Sequence, residues 1–185
     1  MERQRTASTG VYLSPSKRRR ISLMASTNPH KLLSAGAHAA DFRLQRLEGG
    51  EATLRDILAN GPALLAFFKV NCPVCQLAFP YLERIQSPDR LPVYGVSQNS
   101  PADTRDFNRR FGVTFPMLLD TEESGFPVSN SFGISSVPTL FLVERDGTVS
   151  RVVEGWQKSE IARLGAQAGV NPFREGDSVP DWKAG

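Results

Sequence analysis

Hydrophobic positions along the chain change their period repeatedly, and each change marks an element. Phe42-Arg-Leu44-Gln-Arg-Leu47 reads as a short half-buried strand, with Glu48-Gly49-Gly50-Glu51 as its turn. Thr53 suits the N-cap of a short helix reaching Leu58, and Asn60-Gly61-Pro62 then stops the chain. The unbroken apolar run Ala63-Leu-Leu-Ala-Phe-Phe68 fits a strand buried on both faces. Gln76 to Ile85 changes to helical spacing, with Leu77, Phe79, Leu82 and Ile85 on one face. Pro92–Ser97 predicts a second buried strand, and Pro101 opens a helix through Phe107 towards Arg110. Phe115–Leu119 is a further strand, and Phe126–Phe132 a short helical connector ended by Gly133. Thr139–Val143 and Thr148–Val153 flank Arg145-Asp146-Gly147, a hairpin signal. A last helix runs from Ser159 to about Ala168.

That order predicts an α/β layer fold: a mixed central β-sheet flanked by helices on both faces. The pattern covers residues 41–169, which we expect to form one domain. Residues 1–40 carry no hydrophobic period and are rich in Ser, Thr, Lys and Arg, so a disordered basic tail is expected there. Residues 170–185 are polar and bear Pro and Gly, the pattern of a loose tail that drapes on the surface with Trp182 as its anchor. Trp156 is expected to pack near the final helix.

Charge changes this picture in one respect. Arg3, Arg5, Lys17, Arg18, Arg19 and Arg20 against Glu2 give the first 24 residues a balance of +5, leaving −2 for the rest of a chain whose net charge is +3. The basic excess therefore belongs to the tail, and no nucleic-acid partner is expected for the domain. No apolar run reaches the roughly 18–20 residues of a membrane span. Nothing in the tail matches the apolar stretch of a secretory signal, so the expected compartment is cytoplasmic and reducing.

In such a compartment a cysteine pair points to catalysis or metal binding. The chain has two cysteines, Cys72 and Cys75, and a random pair would fall three apart only about 1% of the time. Cys72 stands where the buried strand meets the helix, and the first helical turn offers unpaired N–H groups and a dipole that stabilise a thiolate. Pro73 suits the first helical position, where its missing N–H costs nothing. Cys75 lies one turn deeper. The implied roles are Cys72 as attacking nucleophile and Cys75 as resolving thiol, exchanging dithiol and disulfide with neither metal nor organic cofactor. Zinc is the rival use, but it needs two further ligands, and the histidines are His30 and His38, in or near the tail. Two inert buried thiols are the bland alternative. Lys69, three residues before Cys72, either supports the thiolate electrostatically or is a solvated lysine at a strand end.

The run Ala63–Cys75, with Pro80 five residues after the second cysteine, resembles the strand, active-site motif and helix of the thioredoxin superfamily. Ser136-Val137-Pro138-Thr139 resembles that superfamily's loop whose proline is cis and faces the cysteines. The resemblance implies a cis Pro138 and a Val137 backbone that pairs with an extended substrate segment. Ala39-Ala-Asp41-Phe42-Arg-Leu44, Phe115-Pro116-Met-Leu-Leu-Asp120 and Phe141–Gly147 are similar to the redoxin group, the TlpA/ResA-like and AhpC/TSA-like proteins. This implies a thioredoxin-like fold and a thiol–disulfide oxidoreductase. Its partners would be a disulfide-bearing protein or small thiol as substrate, and a reducing or oxidising thiol partner.

Three departures matter. The superfamily's tryptophan before the first cysteine is Asn71 here. Its buried acid six residues before that cysteine is Ala66, which leaves Glu83, Asp120, Glu122 and Glu123 as unranked candidates for proton acceptor to Cys75. The peroxiredoxin pattern of Pro seven and Thr or Ser three residues before the cysteine is replaced by Leu65 and Lys69, which counts against a peroxidase using Cys72. A non-enzymatic, redox-responsive binding protein would share the pair and the proline.

Overall fold

The computed structural model describes residues 31–185. Its centre is strand β3 (Ala63–Phe68), buried along its whole length. Side chains alternate across a strand: Leu64, Ala66 and Phe68 enter one apolar cluster, while Ala63, Leu65 and Phe67 enter the other. Helix α2 (Pro73–Ile85) follows directly and returns the chain to β4 (Val93–Ser97), which pairs parallel to β3. Helix α3 (Pro101–Phe111) leads to β5 (Met117–Leu119), parallel to β4. The strands β6 (Thr139–Val143) and β7 (Val149–Glu154) form the hairpin expected around Asp146-Gly147, and β6 lies antiparallel to β3.

The outer edge is β1 (Arg43–Arg46) paired with β2 (Glu51–Thr53). The seven-stranded order is β2-β1-β5-β4-β3-β6-β7, a mixed sheet. Helices α1 (Leu54–Ile57) and α4 (Pro127–Phe132) contribute Leu54, Ile57, Val128 and Phe132 to one cluster. Helices α2, α3 and α5 (Lys158–Ala168) contribute Phe79, Leu82, Phe107, Ile161 and Leu164 to the other. Both faces of the sheet are covered, as expected.

The differences from expectation lie mostly at the margins. Strand β2 has no counterpart in the sequence pattern, which ends a turn at Glu51 and caps α1 with Thr53; Thr53 is that cap, but pairing with β1 makes Glu51–Thr53 a strand of which only Ala52 is buried. Residues 31–40, expected to belong to the loose tail, pack on the domain: Leu33 N–H donates to Phe132 O, Gly36 N–H to Val149 O, and Ala39 is buried. His38 bridges Thr148 there. The rest of the basic tail, His30 included, lies outside the described residues.

At the other end, β9 (Trp182–Lys183) pairs antiparallel with β8 (Trp156–Gln157). The anchor is not Trp182, which is 64% exposed. Trp156 holds the segment instead: fully buried against Tyr81 and Phe173, it donates its indole N–H to Pro180 O at 2.6 Å.

Candidate active site

The site grows out of the β3–α2 junction. Phe68 ends the buried strand, and the chain turns through Lys69, Val70 and Asn71 before α2 begins at Pro73. Cys72 is the N-cap, in extended conformation, with proline following in the first turn. Its Sγ accepts the Cys75 N–H at 3.2 Å, so an orphan donor of the first turn is aimed at the sulfur. Helix placement is thus expressed as a particular hydrogen bond that strengthens when the sulfur carries charge.

Cys72 also donates its thiol to Val137 O at 3.2 Å. The Val137–Pro138 peptide bond is cis, as the resemblance implied. Pro138 O in turn accepts the Gly155 N–H, tying this loop to the residue before β8. Two side-chain amides, one from α2 and one from the loop after β4, fix the turn itself. Asn99 Oδ1 accepts the Val70 N–H at 3.0 Å, and Gln76 donates its side-chain amide to Val70 O at 2.9 Å. The Asn99 contact has no signature in the sequence, because nothing there reports which loop an amide 29 residues away will meet.

The two sulfurs occupy different surroundings. Cys72 is half-buried, whereas Cys75 is fully buried in the apolar cluster that also holds Ala66 and Phe79. Burial pushes the Cys75 thiol well above its usual range, and the hydrogen bond with the Cys72 sulfur pushes the same way. A backbone hydrogen bond from Lys69 pulls weakly in the opposite direction.

Lys69 meets Cys72 through its backbone, whose carbonyl accepts the Cys72 N–H, and its side chain is exposed. The carboxylates considered as proton acceptors are engaged elsewhere or exposed. Glu83 accepts from Thr114 and from the Phe115 N–H, and Asp120 accepts the Val128 and Ser129 N–H groups at the start of α4. Glu122 and Glu123 sit exposed on a 3₁₀ turn. Among the described residues no cluster of three His, Cys, Asp or Glu side chains forms a metal cage, and His38 lies beside the β6–β7 turn, at the far end of β3 from Cys72.

Such an arrangement can perform two-step thiol exchange. A half-exposed sulfur under a helix N–H reacts with an incoming disulfide, and a protected thiol one turn below closes on it.

Comparison with known proteins agrees. Residues 35–152 match the AhpC/TSA family. The thiol-disulfide oxidoreductase ResA of Geobacillus thermodenitrificans is 30% identical over 132 residues, covering 69% of this chain and 74% of its own. ResA of Bacillus subtilis is 30% identical over 129 residues, covering 66% of this chain and 69% of its own. Among solved structures, the thioredoxin domain of a thiol-disulfide oxidoreductase from Bacteroides vulgatus superposes with TM-score 0.64 at 21% identity, over 75% of this chain and 99% of that one. Peroxidoxin BcpB of Mycobacterium tuberculosis superposes with TM-score 0.62 at 20% identity, over 74% and 97%. At those identities the two structures establish the thioredoxin-like fold and do not separate an exchange enzyme from a peroxidase. Sequence kinship goes further: this oxidoreductase belongs to the AhpC/TSA family and is related to the ResA thiol-disulfide oxidoreductases.

Proposed function

We propose that the protein exchanges dithiol for disulfide with protein or small-thiol substrates through Cys72 and Cys75. The observation that carries this reading is the Cys75 N–H aimed at the Cys72 sulfur, with the Cys75 thiol buried directly beneath. Cys72, as thiolate, attacks one sulfur of the substrate disulfide; a mixed disulfide forms and the other substrate sulfur leaves as a thiolate that takes up a proton. Cys75 then gives up its proton and attacks the Cys72 sulfur. The Cys72–Cys75 disulfide closes and the second substrate thiol departs. The substrate gains two electrons and two protons, and the pair loses them. Whether the pair acts as reductant or oxidant is set by its reduction potential against that of its compartment, which this reading takes to be the cytoplasm.

Peroxide chemistry at Cys72 has less support. Leu65 is buried in β3, Lys69 is exposed, and neither supplies the hydroxyl that would orient a peroxide.

The test is a redox titration in glutathione buffers, read by thiol alkylation and mass, with Cys72→Ser and Cys75→Ser alongside. One reversible two-electron step that disappears in both variants is expected, and its midpoint gives the direction of flow. If no intramolecular disulfide forms at any poise, the dithiol mechanism is wrong, and peroxide consumption by Cys72 becomes the reading to measure.

A further inference from the structure

Beside Cys72, the cis-proline loop offers the backbone of Val137, and its carbonyl already accepts the Cys72 thiol. Backbone presented this way is where an extended polypeptide adds itself as a strand. In this protein the end of the described chain lies against it. The segment that leaves Trp156 through the β8–β9 ladder continues across Gly155 to Val137.

A series of contacts traces the path. Lys158 N–H donates to Asp181 O, and the ladder pairs Gln157 with Trp182 and Trp156 with Lys183. A Cβ built on Gly155 would collide with Lys183 O and fall 2.9 Å from Gly185 N. A Cβ built on Gly185 would fall 2.7 Å from Val137 O and 3.0 Å from Val137 C. Both positions hold the residue without a side chain. Gly155 has φ +68, a conformation that favours glycine, so its identity has two causes.

Resting on the dithiol-exchange reading, we propose that Lys183–Gly185 form a strap that occupies the strand-pairing edge at Val137 and must be displaced by an extended polypeptide substrate. Small disulfides need only the half-exposed Cys72 sulfur and are not held off by it. The strap therefore acts as a built-in competitor, setting the apparent affinity for polypeptide disulfides without altering the sulfur's chemistry. Removing the strap raises reactivity towards extended ligands in inverse proportion to the fraction of time it is unseated, about tenfold where that fraction is about one tenth.

The experiment compares the full chain with a chain lacking residues 183–185 and with Gly185→Val, whose side chain would run into Val137 O. The shortened chain keeps Pro180 on Trp156 and Asp181 on Lys158; Gly185→Val keeps the whole ladder and serves if the shortened chain fails to fold. Cys72 is alkylated with iodoacetamide and, separately, with a maleimide carried on a linear cysteine-free peptide, neither of which requires disulfide exchange. The expected result is an unchanged iodoacetamide rate and a peptide-maleimide rate about tenfold higher in both variants. An unchanged ratio of the two rates overturns the strap, even where every form turns over a disulfide. A raised ratio with no disulfide turnover in any form upholds the strap and overturns the proposed exchange.

Discussion

Cys75 is a thiol kept neutral by its surroundings, and this has a measurable cost at high pH. Its folded pKa is raised by burial and by the Cys72 sulfur above the ordinary value of 9.0 it regains on unfolding. Below that value both states hold the proton and pH has no leverage. Above it the unfolded chain releases the proton while the native chain retains it, so stability falls as pH rises. The limiting slope is about 1.4 kcal/mol per pH unit. Urea midpoints of the reduced protein should therefore drop between about pH 8 and pH 10 more steeply than those of Cys75→Ala. Parallel profiles would show that Cys75 ionises freely in the native state. The identity of this thiol was legible from the Cys72–Cys75 spacing. The fate of the carboxylates was not, because a sequence does not say which N–H groups Glu83 or Asp120 will satisfy.

Legibility at the scale of elements followed burial. Strand β3 appears in the sequence with the bounds the structure gives it, because six successive apolar residues admit few other placements. Helix α2 begins at Pro73, ahead of its first hydrophobic spacing signal, because its start is set by the Cys72 cap. Strands β2, β8 and β9 are two or three residues long and exist through their partners alone, so no local pattern announces them. Helix α4 is intermediate: Pro127 and Gly133 bracket it in the sequence, but its N-terminus is held by a residue outside it. Asp120, wholly buried at the end of β5, accepts the Val128 N–H at 3.1 Å and the Ser129 N–H at 2.6 Å. Removing the carboxylate leaves two buried donors unpaired. Asp120→Ala should lower stability by about 2–3 kcal/mol, with amide exchange rising first in α4. A loss below about 0.5 kcal/mol would show that other acceptors or water take over those donors.

For the whole molecule, the C-terminal segment packs against α2 and Trp156 and also reaches Val137, whose carbonyl meets the reactive sulfur. The Phe173 ring packs at a tilt against Tyr81, 5.3 Å between centroids, and meets Trp156 edge-on at 6.3 Å. Arg84 of α2 donates to Pro172 O and pairs with Asp177. The Arg174 N–H and the Arg84 guanidinium hold the Asp177 carboxyl below the usual carboxylate range, so that pair supports docking at neutral pH and loses its contribution only as acid protonates Asp177. These contacts sit between the last helix and the strand that leads to Val137. The apolar part can be tested by Phe173→Ala, which removes an aromatic partner of both Tyr81 and Trp156 from a partly buried place and should cost about 2 kcal/mol. Because the segment's remaining links are two smaller apolar contacts, Val179 on the core and Pro172 beside Gly165, with a few hydrogen bonds and one ion pair, the loss should be felt there before it is felt in the sheet. Hydrogen exchange followed by mass should show residues 170–185 opening together at a free energy well below that of β3 and β6. If exchange instead rises evenly through β3 and the segment, the tail is part of the cooperative core. It could then leave the Cys72 edge only when the whole protein unfolds.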